Sequence, residues 1–467
     1  MPELPPPFSH PSFRGQIGVA RRIITPPIGI YARNWGAAKH DVAEGVHRPL
    51  TATALVISSK DGEPPIVLVA LDLCALLVPE IAQNLSREIL DAIDTQTSRV
   101  MINLAHTHSG GPLLLGLPAE DFPGGEHVGP YTDHLTQMVK EVVSEAKAKQ
   151  QDATLDWGYG HCGLAANRDL PDPESEKIIC GFNPSIEADD TLLVGRVTDK
   201  DGKPIAVIVN YACHATTLAW ENKLLSPDYP GALRETVESN TEGALTLFLQ
   251  GASGELAPRE QYSGDTQLAD RHGREVGYAV LSTLEGMLPP NTRYEYDGIV
   301  ESGAPLATWK YVPTDPPSDI QSKQLRVDLP IKEDWLKSEV EGDQFQDCQD
   351  RVLEERLRRN EQVRNWLGED SEFHLPIWIW KLGETIFIGH LLETYSQLQI
   401  QLRNRFPDHA VVVMNLVNGT AAYQPPQELY AQDLYQVWQT PFAEGSLEKL
   451  TQAYESAIQR IIESTEK

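Results

Sequence analysis

The sequence has no apolar run close to the roughly 18 to 20 residues that a membrane-spanning helix requires. Basic residues are scarce beside acidic ones, with Lys+Arg 39 against Asp+Glu 67, so the formal net charge is −28. Such a chain lacks the basic face that contacts nucleic-acid phosphates or an anionic membrane surface. The hydrophobic fraction of 41% still supplies the hydrophobic core of an ordinary globular protein.

Cysteine is also scarce, and no two cysteines form a CxxC pair. The five are Cys74, Cys162, Cys180, Cys213 and Cys348. An odd, scattered set indicates reduced thiols and excludes a disulfide framework or a cysteine zinc site. The N-terminus, MPELPPPFSHPSF, lacks both the basic start and the apolar segment of a signal peptide. We therefore expect a cytoplasmic protein, although a processed secreted form would have the same features.

Strand-like and helix-like segments alternate along the chain, which predicts an α/β fold with a large mixed sheet flanked by helices. The predicted strands are 15–24, 51–58, 65–71, 99–105, 153–160, 192–198, 204–212, 244–250, 376–381, 384–389 and 410–416. The predicted helices are 78–92, 131–149, 229–240, 265–287, 333–367, 392–405 and the C-terminal segment. Without repeats or a composition break, we expect a loose arm over 1–14 and a single domain over 15–467.

Three of these strands end in residues that can carry chemistry. His106 and His108 follow the strand 99–105, and residues i and i+2 of a strand face the same side. His214 follows the strand 204–212, and a glycine-rich loop, Gly251–Gly254, follows the strand 244–250. Ligand sites of open α/β sheets lie at such strand ends, and paired histidines suit a metal. Taken singly, each feature also fits a hydrogen-bonded core histidine or a plain tight turn.

In order and spacing, these motifs resemble the N-terminal catalytic domain of the neutral/alkaline (non-lysosomal) ceramidases. The resemblance is carried by HTHSG at 106–110, YACHAT at 211–216, SPDYPG at 226–231 and QGASGELAP at 250–258. It extends to GVAR at 18–21, ITPPIG at 24–29, NR at 167–168, FNP at 182–184 with DD at 189–190, and YQPPQELY at 423–430 with Tyr435. The resemblance covers nearly the whole chain, and it implies the fold of that catalytic domain.

The resemblance also implies one zinc ion bound by two histidines, a glutamate and a tyrosine. Matched by motif, the histidines are His106 and His214, and the tyrosine is Tyr423. The glutamate follows a glycine at a strand end in the family, where this chain has His390. Glu393, three residues later, is the alternative ligand. Imidazole and carboxylate are both ordinary zinc ligands, and by position we favour His390.

Three further residues take roles on the substrate side if the resemblance holds. His108 would polarise the substrate or transfer a proton, Arg168 would bind a polar or anionic substrate group, and Tyr435 would donate a hydrogen bond to the developing oxyanion. A zinc ion would activate a water molecule as the nucleophile. We therefore expect a zinc-dependent hydrolase of an amide bond, acting on an N-acyl lipid or another small N-acyl compound. Nothing in the sequence indicates an oligomeric state.

The chain departs from the family pattern in ways that leave two alternatives open. Ala257 occupies the place of a serine with an assigned catalytic role, Glu255 replaces an aspartate, and we expect no C-terminal immunoglobulin-like domain. Ala257 and His390 favour a non-catalytic protein that binds metal or ligand without turnover. A TIM-barrel amidohydrolase with His106 and His108 as ligands is the other alternative, but such a barrel needs eight regular βα units, which residues 295–375 do not supply.

Overall fold

The structure is a computed structural model that describes residues 6–59, 62–113, 115–116, 121–336, 349–368 and 370–465. Its helices within these ranges are α1 (Pro79–Ala92), α2 (Val128–Ala148), α3 (Tyr229–Ser239), α4 (Thr266–Gly286), α5 (Asp350–Leu367), α6 (Gln397–Arg405), α7 (Tyr435–Gln439) and α8 (Ser446–Thr465). No helix among the described residues combines the length and the apolar character needed to cross a bilayer.

The longer strands form two sheets and one hairpin. They are β1 (Ser12–Ile23), β3 (Thr51–Ser58), β4 (Ile66–Leu71), β5 (Val100–Leu104), β6 (Gln151–His161), β10 (Thr191–Asp199), β11 (Pro204–Tyr211), β13 (Leu245–Gln250), β15 (Thr292–Ser302), β16 (Ala304–Pro313), β17 (Ile320–Pro330), β18 (Glu372–Leu382), β19 (Thr385–His390) and β21 (Ala410–Met414). The short strands are β2 (Gly45–Val46), β7 (Ala165–Asn167), β8 (Asp169–Pro171), β9 (Lys177–Cys180), β12 (Leu224–Leu225), β14 (Leu256–Pro258), β20 (Glu393–Thr394), β22 (Tyr423–Gln424) and β23 (Asp433–Leu434).

The large sheet has eight strands in the order β13-β11-β10-β6-β1-β3-β4-β5. It is mixed, because β4 with β5 and β11 with β13 are parallel while the other neighbours are antiparallel. This open, mixed sheet confirms the predicted α/β class. The TIM-barrel alternative is wrong, since such a barrel is a closed ring of parallel strands.

A second sheet, in the order β17-β18-β19-β21, packs against the large one. Helices α1 to α4 cover one face of the large sheet. Its other face joins a shared core with Trp378, Trp380 and Phe387 of the second sheet. The outer face of the second sheet packs against α6 and α8. These four layers explain why β4, β5 and β19 are buried along their whole length, because both faces are covered.

Three long segments of the structure differ from the sequence prediction. The predicted helix 392–405 begins only at Gln397, because residues 393–394 form the short strand β20. The hairpin β15–β16 and strand β17 were not predicted, since their exposed side chains give no apolar alternation. In the predicted helix 333–367, α5 begins at Asp350, and residues 337–348 lie outside the described part.

The described part of the predicted N-terminal arm is tied to the rest of the chain. Phe8 exchanges two backbone hydrogen bonds with Tyr294, at 2.9 and 2.8 Å, and strand β1 begins at Ser12. Residues 1–5 lie outside the described residues. The division into an arm and a single domain stays a prediction.

Buried asparagines link the two sheets at one end. The Asn103 side chain donates to the Asn415 carbonyl oxygen at 2.7 Å, and the Asn210 side chain donates to the Val413 carbonyl oxygen at 2.8 Å. The carboxyl ends of β5, β11, β13 and β19 therefore meet in one region. A strand end cannot satisfy its last polar groups by itself, so loops that follow these strands converge there and bring their side chains together.

Candidate metal centre

Two imidazoles and one carboxylate converge at this meeting point. His106 Nε2 lies 3.2 Å and His214 Nε2 lies 3.0 Å from the same carboxylate oxygen, Oε2 of Glu393. Each ring is held from behind, because His106 Nδ1 lies 2.7 Å from the Cys74 carbonyl oxygen and His214 Nδ1 lies 3.1 Å from that of Leu256. A carbonyl oxygen can accept only from a ring N–H, so each Nδ1 carries a proton and each Nε2 faces Glu393. This is the way proteins orient metal-binding histidines.

Backbone geometry places each of these residues. His106, the second residue after strand β5, has a φ of 58°, a left-handed conformation that is uncommon for a residue with a side chain. It turns the ring inward at the sheet end. Glu393 is held by strand pairing, because β20 runs parallel to β22 with Glu393 opposite Tyr423, and its backbone N–H donates to the Ala422 carbonyl oxygen at 2.9 Å.

Tyr423, the fourth predicted metal ligand, lies beside His106, His214 and Glu393. Its hydroxyl oxygen lies 3.5 Å from His214 Nε2 and accepts a hydrogen bond from Arg168 Nη2 at 3.2 Å. Burial raises the pKa of Tyr423 well above its ordinary value, as does the Glu393 charge, while Arg168 opposes them. The hydroxyl is therefore protonated in the absence of a cation.

The charges of the cluster are balanced by a proton. Burial acts to lower the pKa of His106, but the Glu393 carboxylate overcomes it and raises that pKa. Burial acts to raise the pKa of Glu393, but His106 holds it well below its ordinary range. Burial and the Arg168 charge lower the pKa of His214 to about 4. A proton shared by His106 and Glu393 thus supplies the positive charge that a bound cation would otherwise supply.

His390 does not join this cluster, which corrects the preference for it over Glu393. It is fully buried, its Nδ1 lies 3.0 Å from the Tyr454 hydroxyl of α8, and its Nε2 lies 3.0 Å from Asn415 Oδ1. Both ring nitrogens are therefore occupied by core partners. The cluster is reached only three residues after the end of β19, at Glu393, so the carboxylate of Glu393 contacts the two histidines instead.

The three residues predicted on the substrate side surround the cluster. His108 Nε2 lies 3.4 Å from His106 Nε2, while His108 Nδ1 has no hydrogen-bond partner among the described residues. Arg168 donates to the Gly254 carbonyl oxygen as well as to Tyr423. The Tyr435 ring packs edge-on against that of Tyr423, with centroids 5.5 Å apart. Their positions agree with the predicted roles, which stay predictions.

The glycine-rich loop carries a buried acid but no hydroxyl at the position of Ala257. Ala257 lies in β14, buried and paired with Ala166. The Glu255 carboxylate accepts hydrogen bonds from the Ser396 backbone N–H and hydroxyl at the start of α6. Burial raises the pKa of Glu255 to about 8, although the Ser396 contacts act to lower it. The nearby Ser253 hydroxyl accepts from Gln250 Nε2 at 2.6 Å.

The sequence analysis missed several residues beside the cluster. Cys74 forms a second possible ligand set with His106 and His108, but its sulfur lies 4.0 Å from His106 Nδ1, the nitrogen already bonded to a carbonyl. Arg359 and Gln362 of α5 line the same small cavity as the cluster. Cys74 could have been found as a polarisable residue just after β4, the neighbour of β5. The α5 residues could not, because their segment has the charge pattern of a solvated helix.

The sequence matches the family described as neutral/alkaline non-lysosomal ceramidase, N-terminal, over residues 16–265, which is more than half of the chain. Among curated proteins, none matches at a significant level. Two solved structures have a similar fold. The neutral ceramidase from Pseudomonas aeruginosa is 17% identical with a TM-score of 0.67, and the match covers 96% of this chain and 74% of that one. A ceramidase complexed with C2 is 16% identical with a TM-score of 0.67, covering 95% and 74% respectively.

Proposed function

The chain belongs to the neutral/alkaline non-lysosomal ceramidase family, and from that premise we propose that it is a zinc-dependent hydrolase of an amide bond. The observation that carries the proposal is the convergence of His106 Nε2 and His214 Nε2 on one oxygen of Glu393. With the Tyr423 hydroxyl beside them, these residues form a nitrogen and oxygen donor set that suits zinc. They would hold the ion, and His390 would not.

Bound zinc would polarise the amide carbonyl and make a water molecule acidic enough to attack at neutral pH. The chain's own residues supply the rest. Burial, with the charge of His106, lowers the pKa of His108 well below its ordinary value, so its ring is neutral at pH 7. A neutral imidazole at this place can accept the proton of the attacking water and return it to the amine nitrogen as the C–N bond breaks.

Two further residues would orient the substrate. Arg168, held by the Gly254 carbonyl oxygen, donates a hydrogen bond to the Tyr423 hydroxyl oxygen. The hydroxyl hydrogen of Tyr423 therefore points away from Arg168. Tyr435 lies against Tyr423 and lines the same cavity, where its hydroxyl can donate to a developing oxyanion. This mechanism requires no hydroxyl at Ala257. The family and its solved members support a lipid-like or other N-acyl compound as the substrate.

Elemental analysis of the purified protein tests the proposal. We expect about one zinc ion per chain, lost in His106→Ala and kept in His390→Gln. His161→Ala, which changes an exposed histidine, is the matched control. A screen of N-acyl compounds with the same four proteins should show activity only where zinc is retained. A wild-type protein without metal after zinc is supplied, or a fully active His106→Ala variant, would overturn the proposal.

A further inference from the structure

One side of helix α5 faces the cavity at the metal cluster. This inner cavity has a volume of about 70 Å³ and is lined by His106, Glu393 and Tyr423 on one side. Arg359, Gln362 and Val363 of α5 line it as well. Helix positions i, i+3 and i+4 lie on one face, so a single face of α5 points at the cluster.

Gln362, which lines this cavity, carries an unused hydrogen-bond donor. Its side chain is buried, and its Nε2 has no hydrogen-bond partner among the described residues. Buried polar groups in proteins are nearly always paired, because an unpaired donor loses its hydrogen bonds to water without replacement. An unpaired amide N–H₂ that lines a cavity at a reaction centre is therefore suited to donate to a bound ligand.

Arg359 adds positive charge next to this donor. It donates to Tyr435 at 3.3 Å, to the Asn34 carbonyl oxygen at 3.1 Å and to Glu355 at 2.8 Å. The Glu355 carboxylate also accepts a hydrogen bond from Arg358, so one negative charge is shared by two guanidinium groups. This part of the cavity wall keeps a net positive charge.

Arg168 adds positive charge nearby, because it lines an adjoining outer cavity together with Arg359. It is buried, and it contacts only neutral oxygens, the Gly254 carbonyl and the Tyr423 hydroxyl. Among the described residues, no carboxylate oxygen accepts a hydrogen bond from its guanidinium group. Arg168, Arg356 and Arg359 thus line the outer cavity beside one acid, Glu355. Such an excess of positive charge is unexpected in a chain whose formal net charge is −28, and it favours an anionic ligand over a neutral one.

We propose that α5 recognises a carboxylate on the substrate through Arg359 and Gln362, and that the substrates are N-acyl amino acids. This inference rests on the proposed amide hydrolysis. Because the inner cavity is so small, a carboxylate bound to these two residues lies within a few bonds of an amide at the cluster. The α-carboxylate of an N-acyl amino acid has that spacing, whereas a ceramide has no anionic group.

The remainder of such a substrate has room outside the inner cavity. An outer cavity of about 480 Å³ shares Arg359 and Tyr435 with the inner one. Its walls are rich in aromatic rings, from Trp35, Trp220, Tyr262 and Trp438. Such walls suit an apolar side chain or acyl group.

Two matched substrates test the proposal with the zinc-loaded full chain. N-acetyl-L-phenylalanine and N-acetylphenethylamine differ only in the carboxylate. We expect the kcat/KM of the acid to exceed that of the amine analogue by about tenfold or more, the size of a charged hydrogen-bond contribution. Equal values, or a preference for the neutral N-acetylsphingosine, would overturn the proposal.

Variants of α5 then assign the effect to the two residues. Gln362→Leu removes the unpaired donor at similar volume, and we expect it to raise the KM of the acid about tenfold while the amine analogue changes less than about twofold. Arg359→Gln should also raise the KM of the acid, and because Arg359 contacts Tyr435, it should lower the kcat of both substrates as well. Asn365→Leu, on the exposed side of α5, is the control and should change neither substrate. Equal losses on both substrates would mean a structural role and would overturn the assignment.

Binding separates a failure of this inference from a failure of the proposed function. If zinc is present but none of the amides is hydrolysed, the proposed function fails. Calorimetric titration with N-acetyl-L-phenylalanine then tests the recognition alone. Binding that Gln362→Leu weakens about tenfold supports the inference, and absence of binding overturns it.

Discussion

The cluster draws its residues from two regions of different construction. His106 and His214 lie in the segments just beyond the ends of β5 and β11, two strands of the eight-stranded sheet. Glu393 and Tyr423 lie on β20 and β22, two strands of two residues each that pair only with one another. The first region positions a ligand by a continuous strand, whereas the second depends on one local pairing between distant parts of the chain.

The second region also shows that a strand end does not always point into a site. His390 ends β19 as His106 follows β5, yet its ring contacts Tyr454 and Asn415 in the core. The difference lies in the three residues that follow. They carry the chain into β20, where Glu393 reaches the two histidines of the other sheet.

Removal of the Glu393 carboxylate should have the largest effect among the tests of this difference between the two regions. Glu393→Ala should lose the zinc ion and lower kcat/KM by about 10³-fold or more, because it leaves two histidines and a tyrosine as ligands. Elemental analysis and amide hydrolysis check both effects, with the exposed Glu372→Ala as control. Zinc retained at the wild-type level would show that the second region contributes no ligand.

The junction between the two regions should respond to pH through Glu255. Burial raises the pKa of Glu255 to about 8 in the folded state, above its ordinary value. The folded state therefore holds a proton that the unfolded state releases between pH 4.5 and 8, so the free energy of unfolding should fall as the pH rises through this range. We expect a fall on the order of a few kcal/mol.

Glu255→Gln removes this titration and should flatten the pH profile. Chemical denaturation at several pH values measures it, with and without chelator so that metal loss is not mistaken for the effect. A variant that keeps the wild-type slope would place the responsible group elsewhere.

Tyr423→Phe tests whether the short strand pair contributes chemistry in addition to position. We expect kcat to fall about 10- to 100-fold while most of the zinc is retained, because His106, His214 and Glu393 remain. Steady-state kinetics and metal analysis of the same preparation distinguish a loss of catalysis from a loss of zinc. Unchanged kcat would exclude a role for the hydroxyl in the reaction.

The smallest effect is expected at His390. His390→Gln should leave the zinc content unchanged and lower the free energy of unfolding by about 1 to 2 kcal/mol, since Tyr454 and Asn415 lose a buried partner. Thermal or chemical denaturation measures the stability change. Loss of zinc without loss of stability would restore His390 as the ligand.

The sequence predicted the first region well and the second poorly, for physical reasons. Strands such as β5 and β11 are buried on both faces, so they appear as continuous apolar runs, and the polar residues that end them stand out. A pairing of two residues leaves no such pattern. Residues 392–405 have helical spacing, which concealed β20 within a predicted helix.

The choice between His390 and Glu393 depended on tertiary contacts that the sequence cannot show. Both are acceptable ligands by chemistry, and His390 had the favoured position. His390 is excluded as a ligand because Tyr454 of α8 forms a hydrogen bond with its ring. The role of α5 was concealed in the same way, because its arginines and glutamates have the composition of an exposed helix although one face lines a cavity.

The asparagine links between the two sheets have a mechanical consequence. Asn103 and Asn210 fasten the second sheet to the first at the end where the cluster lies. Sliding of one layer over the other would change the distance from His106 to Glu393, and these links resist it there. Backbone amides around Asn415 should thus exchange with solvent as slowly as those of the central strands, so that the centre is among the stiffest parts of the protein.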